Sequence, residues 1–316
     1  MMAKTESRKG GNGMTGGRRE FLKSALALGA GIASSTELAF PRGDTAKPKK
    51  VVVGAHGWVY AAPMPNFDYT PKLEQIFPDL KYAGIEAFEL MEVVLRHDDA
   101  VEHIGALSQK YSLPILGTSF GADMWDRSKH AAILEDAELV ITRLAKLGGR
   151  TFGTSVGRTP APKTEEQLDA QAELLRKIIA FGKAHGVVLN LHNHTYEVEN
   201  GLHDLKGTLA RIPDVKLGPD LNWLVRGGVD PVDFIHTYGK QMVFMHIRDQ
   251  KADGTWSEAV GEGSMNYPAI AEALHAIPFR GDAVIELAHE KGFQPTRPLR
   301  EDWKISREFV RNTLGY

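Results

Sequence analysis

The sequence predicts an α/β protein: a single (β/α)8 (TIM) barrel over residues 47–316, behind an N-terminal segment of different character, residues 1–46. Three observations lead there. Short apolar, β-branched runs alternate with helical periodicity from residue 50 to the C-terminus, which is how a parallel sheet is built. The alternation repeats eight times in about 270 residues, which suits a closed barrel. No G-x-G-x-x-G follows the first strand, where Gly54 and Gly57 merely flank Ala55-His56. That disfavours the runner-up, an open doubly wound sheet.

The elements follow in order. KKVVVGAHG is the first strand, then a helix near 70–83, and GIEAFELME is the second strand, then a helix near 98–111. SLPILGTSF is the third, and a helix spans about 127–147, with Ile133, Leu134, Ala137, Val140, Ile141, Leu144 and Leu147 at helical spacing. GGRTFGTSV is the fourth, and the helix 164–185 carries Leu168, Ala172, Leu175, Ile178 and Ile179 on one face. VVLNLH, VKLGPD, MVFMHIRD and AVIELAHE complete the strands, with helices near 202–211, 231–239, 267–276 and 300–314. The stretch 250–264 is the longest loop, and long loops in compact domains are often functional.

Composition narrows the function. Lys+Arg is 38 against Asp+Glu 40 in 316 residues, a net charge of -2. That balance gives no electrostatic footprint for nucleic acid. There are 0 cysteines, so no disulfide, no thiolate metal site and no cysteine nucleophile exist. A metal here must be held by His, Asp and Glu.

The N-terminus reads as an address. GRREFLKSALALGAGIASS pairs Arg18 and Arg19 ahead of Phe21-Leu22-Lys23 and a mild apolar run. The run is too short to serve as a stable membrane anchor. The stretch resembles a twin-arginine export signal, with cleavage expected somewhere in 34–46. The resemblance implies the twin-arginine export machinery as a partner, export after folding, and a periplasmic location. Self-association into a homo-oligomer stays open.

Barrel chemistry sits at the C-terminal ends of the strands. There the sequence delivers His56 from strand 1, and Glu86, Glu89 and Glu92 from strand 2. Strand 5 delivers His192 and His194, strand 6 Asp220, strand 7 His246, Arg248 and Asp249, and strand 8 Glu286. His192, Asp220, His246 and Glu286 recur at spacings of 28, 26 and 40 residues, about one βα unit each, the last gap holding the long loop. Two imidazoles and two carboxylates without sulfur suit one divalent transition metal: Mn2+, Zn2+, Co2+ or Fe2+. Each residue also has a plainer reading. Asp220 alone reads equally as a helix N-cap, and His194 equally as a loop-stabilising group. Glu286 in an apolar strand needs a buried partner.

These residues carry a resemblance. LHNHTYEVEN, VKLGPDLNW, GGVDP, MHIRD, VGEGSMNY and VIELAHE, in this order, resemble the sugar phosphate isomerase/epimerase family of xylose-isomerase-like metal barrels. It implies Asp220, His246 and Glu286 as metal ligands and the VGEG loop near the site. It also implies a small-molecule carbohydrate substrate. One departure is His192, where the family usually has the Glu of an LENH motif. In that respect LHNH is similar to the inosose dehydratase branch, which eliminates groups from keto-cyclitols or keto-sugars. Another departure is Asn222-Trp223, where relatives often carry His.

The expectation is a metal-dependent lyase that enolises a keto-sugar, keto-glycoside or keto-cyclitol. Glu286, His194 and Asp249 are the catalytic candidates. His56, Glu89, Trp223 and Arg248 are the substrate-contact candidates, although Arg248 and Lys251 also read as surface charges. Trp58, Trp125, Trp223 and Trp256 lie near strand ends or loops as possible platforms for a sugar face. The alternatives are an isomerase or epimerase, a metal-dependent hydrolase, and a non-catalytic sugar-binding barrel.

Overall fold

The computed structural model describes residues 50–277 and 279–316. The twin-arginine-like stretch lies outside the described residues. Eight parallel strands alternate with helices: β1 Val53–His56, α1 Leu73–Tyr82, β2 Ala87–Met91, α2 Ala100–Tyr111, β3 Ile115–Gly121, α3 His130–Lys146, β4 Thr151–Ser155 and α4 Glu165–Ala184. They continue as β5 Val188–Leu191, α5 Thr195–Arg211, β6 Lys216–Leu217, α6 Leu221–Arg226, α7 Pro231–Tyr238, β7 Phe244–Ile247, α8 Tyr267–Ala276, β8 Asp282–Ile285 and α9 Leu299–Leu314. The strands pair in the order β6-β5-β4-β3-β2-β1-β8-β7. Two single parallel bridges, Leu217 to Met242 and Asp220 to His246, join β6 to β7 and close the ring. The sheet is therefore the expected (β/α)8 barrel.

Helical periodicity translated into burial. In α3, Ala137, Val140, Ile141 and Leu144 are fully buried against the strands, while Ile133, Leu134 and Leu147 sit at the margin of the same core. In α4, Leu168, Ala172, Leu175 and Ile178 do the same. Burying such a side chain contributes roughly 1.5–3 kcal/mol, and this interface holds the helices in their ring. No helix among the described residues is long and apolar enough to cross a membrane.

The differences from expectation are local. The helix expected near 202–211 begins at Thr195, but Glu199 is extended and Asn200, Gly201 and Leu202 are left-handed. One capped turn therefore stands ahead of the regular helix. The sixth strand is two residues long and hands over directly to α6, a helix the periodicity did not indicate.

Candidate metal centre

Strand ends aim the polar groups. His56 is the last residue of β1, His192 follows β5, His246 lies inside β7 and Glu286 follows β8. All four are buried, as is Asp220. Backbone ladders hold them: His192 N–H donates to the Thr154 carbonyl at 2.9 Å, and Glu286 N–H to the Ile247 carbonyl at 3.0 Å.

Asp220 serves two purposes with its two oxygens. Oδ1 accepts from the amides of Asn222 and Trp223, both at 2.9 Å, and so caps α6. Oδ2 has no hydrogen bond and faces His246 Nδ1 at 4.0 Å. The N-cap reading and the ligand reading are thus compatible in one carboxylate.

His246 Nε2 lies 2.5 Å from Glu89 Oε2, across the barrel interior. An ionised carboxylate only accepts, so Nε2 carries the proton and Nδ1 presents its lone pair. That Nδ1 is 2.7 Å from Glu286 Oε2. Two acceptor atoms at this separation require a cation or a proton beside them. His192 packs edge-on against His246, with ring centroids 4.6 Å apart, and its Nδ1 is buried without a partner. Burial among His246, His194 and Arg248 pushes the His192 pKa well below its usual range, so its lone pair is free at neutral pH.

His192, Asp220 and His246 each offer an atom within 4.8 Å of the others. Small side-chain movements bring such atoms to the ~2.0–2.2 Å of a metal bond. His192 Nδ1, Asp220 Oδ2, His246 Nδ1 and Glu286 Oε2 all lack a hydrogen bond. Buried polar atoms are ordinarily paired; here Asp220 Oδ2 has only the Arg248 guanidinium beside it, and the other three meet without a donor, which fits a divalent cation. Charge agrees. Glu89, Asp220 and Glu286 are buried together with one guanidinium, Arg248, which pairs with Glu286 and lies 2.9 Å from Asp220 Oδ2. As carboxylates they leave two negative charges to be balanced. Glu286 itself stands outside the compact triad, touching it through His246 while its Oε1 holds Arg248.

Several expectations change. Arg248 is buried and lines the site rather than standing as a surface charge, and burial lowers its pKa only to about 10, so it remains cationic. Lys251 is exposed. Glu89, expected to touch substrate, is buried and holds His246. Asp249, expected to be catalytic, is taken up by loop amides. Its Oδ2 accepts from Gly261 at 2.9 Å and Gly263 at 3.0 Å, and its Oδ1 from Gln250 at 2.9 Å and Met265 at 3.3 Å. The VGEG glycines have their reason here. Gly261 has φ +97, and a Cβ on Gly263 would meet Asp249 Oδ1 at 2.1 Å. His56 lies behind Glu286, with Nδ1 3.3 Å from Glu286 Oε1. The Trp58 amide donates to the same Nδ1, so Nε2 donates to Ser119 Oγ at 3.1 Å. Burial holds the His56 pKa down to about 3.

His194 stands on the rim, and its environment was not anticipated. Glu197 Oε2 accepts from the His194 amide at 2.6 Å, and its Oε1 from the Val156 amide at 2.9 Å and the Ser155 hydroxyl at 2.5 Å. Ser155 has one proton and gives it to Glu197. The 3.0 Å bond between Ser155 and Tyr196 therefore has Tyr196 Oη as donor. With its own proton used, Tyr196 can only accept from His194 Nδ1, 3.3 Å away. His194 is thereby set as the Nδ1–H tautomer, its Nε2 lone pair free to act as a base. Glu197, three residues after His194 at a helix start, returns its carboxylate to the His194 amide as one half of a capping box does, the one sequence signal that could have revealed this chain.

A cavity of about 430 Å³ opens above these groups, lined by His56, His192, His194 and Glu286, with Trp58 and Trp223 among its walls. Trp125 does not line it.

Residues 77–313 match the family model of the xylose isomerase-like TIM barrel. The chain belongs to this family. Among solved structures of similar fold is a sugar phosphate isomerase/epimerase from Parabacteroides distasonis ATCC 8503. It has 18% identity and a TM-score of 0.66, covering 85% of this chain and 95% of that one. The D-allulose 3-epimerase from Methylomonas sp., solved with D-allulose, has 18% identity and a TM-score of 0.69, covering 84% and 98%. The 3-keto-D-glucoside 4-epimerase of E. coli has 18% identity and a TM-score of 0.64, covering 83% and 100%. Compared by sequence with the curated proteins, the chain has no match. In barrels of this architecture chemistry sits at the C-terminal ends of the strands, where the His192–Asp220–His246 triad is found.

Proposed function

We propose that this chain is a divalent-metal-dependent enzyme acting on a keto-sugar or keto-glycoside, and that its reaction is β-elimination. The carrying observation is the set of unpaired atoms of His192, Asp220, His246 and Glu286. A bound ion supplies Lewis acidity to a carbonyl oxygen, which acidifies the neighbouring C–H. The remaining work falls to the chain. His194 Nε2 takes that proton, the C–O bond on the next carbon breaks, and the departing oxygen takes the proton back from His194. The products are an unsaturated ketone and an alcohol. Glu286, with one oxygen on Arg248 and the other on His246, suits a ligand better than a mobile base. The imidazole of His192 also removes one of the two carboxylates that a symmetrical proton exchange would use.

The second reading is a sugar epimerase, favoured by the names of the similar solved structures. Elemental analysis and turnover of a 3-keto-β-glucoside separate the readings. Near one transition metal per chain and a new ultraviolet-absorbing enone support elimination. Deuterium uptake from D2O with only a stereoisomer formed favours epimerisation. No metal and no exchange would leave a sugar-binding barrel. The Arg18-Arg19 stretch supports export through the twin-arginine route to the periplasm.

A further inference from the structure

One wall of the cavity is built unlike the rest. Trp223, in α6, and Trp256, in the long loop after β7, meet at 85° with ring centroids 5.5 Å apart, and both line the cavity. The Arg226 guanidinium sits 3.5 Å from the Trp256 ring centroid. It is fixed there by Gln250 Oε1 at 3.0 Å and the Gly254 carbonyl at 2.5 Å. A cation held against the indole stiffens the ring's position. The loop is anchored at its base by Asp249, and beyond it by Glu258 on Thr296 and Glu262 on Arg297. This corner is pre-formed.

Its place relative to the metal triad is fixed by Arg248. The same guanidinium that holds Asp220 and Glu286 lies 5.6 Å from the Trp223 ring and 5.0 Å from the Trp256 ring. The corner therefore begins one side chain away from the cavity floor. The Trp223 indole Nε1 is buried and has no hydrogen-bond partner, and His289 Nε2, on the same cavity, has none either. A buried indole N–H left unpaired marks a place where a ligand oxygen is expected, and an unpaired imidazole nitrogen one where a polar group is. A cavity of about 430 Å³ is in the range that holds a drug-sized ligand.

We propose that Trp223 and Trp256 form a subsite for a second ring attached to the reacting sugar. The substrate is then a glycoside with a ring-bearing aglycone rather than a free monosaccharide. The inference rests on the metal-dependent keto-sugar reading and names its substrate class. The recognising chemistry is a ring face against indole, with an oxygen near Trp223 Nε1. An aryl group and a second sugar both satisfy it.

Calorimetric titration of the metal-loaded protein with methyl β-D-glucopyranoside, 4-nitrophenyl β-D-glucopyranoside and cellobiose tests this. At least one ring-bearing probe is expected to bind about tenfold or more tighter than the methyl glycoside. If only the nitrophenyl probe gains, the second ring is aryl; if only cellobiose gains, it is a sugar. Trp256→Ala is expected to bring that ratio near one with metal content unchanged, and Trp256→Phe to keep most of it. A thermal melt of each variant checks folding. Equal affinities for all three probes, including no binding of any, would overturn the subsite. Loss of metal from the wild-type protein would instead sink the reading beneath it.

Discussion

Glu89 Oε2 rests 2.5 Å from His246 Nε2, joining strands β2 and β7 across the barrel. This contact decides which imidazole nitrogen faces Asp220 and Glu286. Glu89→Ala frees His246 to turn or change tautomer. Its metal affinity is expected to fall about 10–100-fold, measured by competition with a chromophoric chelator. An unchanged affinity would mean that His246 is oriented by packing alone.

Asp220 allows its two duties to be separated. Asparagine keeps an oxygen for the Asn222 and Trp223 amides but is a poor ligand. Asp220→Asn should lose metal and keep the cap, while giving up its ion pair with the buried Arg248 guanidinium. Asp220→Ala should lose metal and also about 0.5–2 kcal/mol from the lost cap. Equal destabilisation by both variants would argue against the cap.

His192→Ala is expected to lose the metal found in the wild type by elemental analysis. Retention of the full complement would move this imidazole out of the coordination sphere.

Tyr196→Phe removes the link between Ser155 and His194 without touching the triad. Metal content should be unchanged and kcat should fall about tenfold or more, a fraction of the ~10²–10⁴ that acid–base catalysis supplies. Nitrogen-15 shifts of His194 should move from the Nδ1–H form to a tautomer mixture. A fixed tautomer in the variant would refute the proton accounting.

Stability should fall on acidification of the metal-free protein. His56 has a folded pKa of about 3 against an ordinary value near 6.5, and His192 is depressed in the same way, both by burial. Between these values the unfolded chain binds more protons than the folded one. Stability is therefore full above pH ~6.5 and declines below it, by at most ~1.4 kcal/mol per pH unit for each histidine. Urea denaturation from pH 7 to 4 measures the slope, and His56→Gln should flatten it. No change in slope would show that another group governs the acid limb.

The barrel was legible in the sequence because short continuous apolar runs and period-3.6 patterns report burial, and burial decides these elements. Ala137, Val140, Ile141 and Leu144 are buried as their spacing indicated. His192, Asp220, His246 and Glu286 were visible because one βα unit advances each to an equivalent strand end. What the sequence hid was partnership. Asp249 and Glu89 look like site carboxylates from position alone, but their roles depend on amides at 261 and 263 and on a histidine 157 residues away. No local pattern encodes such contacts. Trp256 was visible only as an aromatic in a long loop, because the arginines against it come from α6 and from the residue after β7.

The seam between β6 and β7 is the thinnest joint in the ring, two single bridges where other neighbours share a ladder. One of those bridges is Asp220 to His246, two members of the candidate metal set. An ion held there would also be the clasp of the barrel. Loading would then be a step of assembly, and amides around the seam should exchange hydrogen faster before the clasp is shut than after.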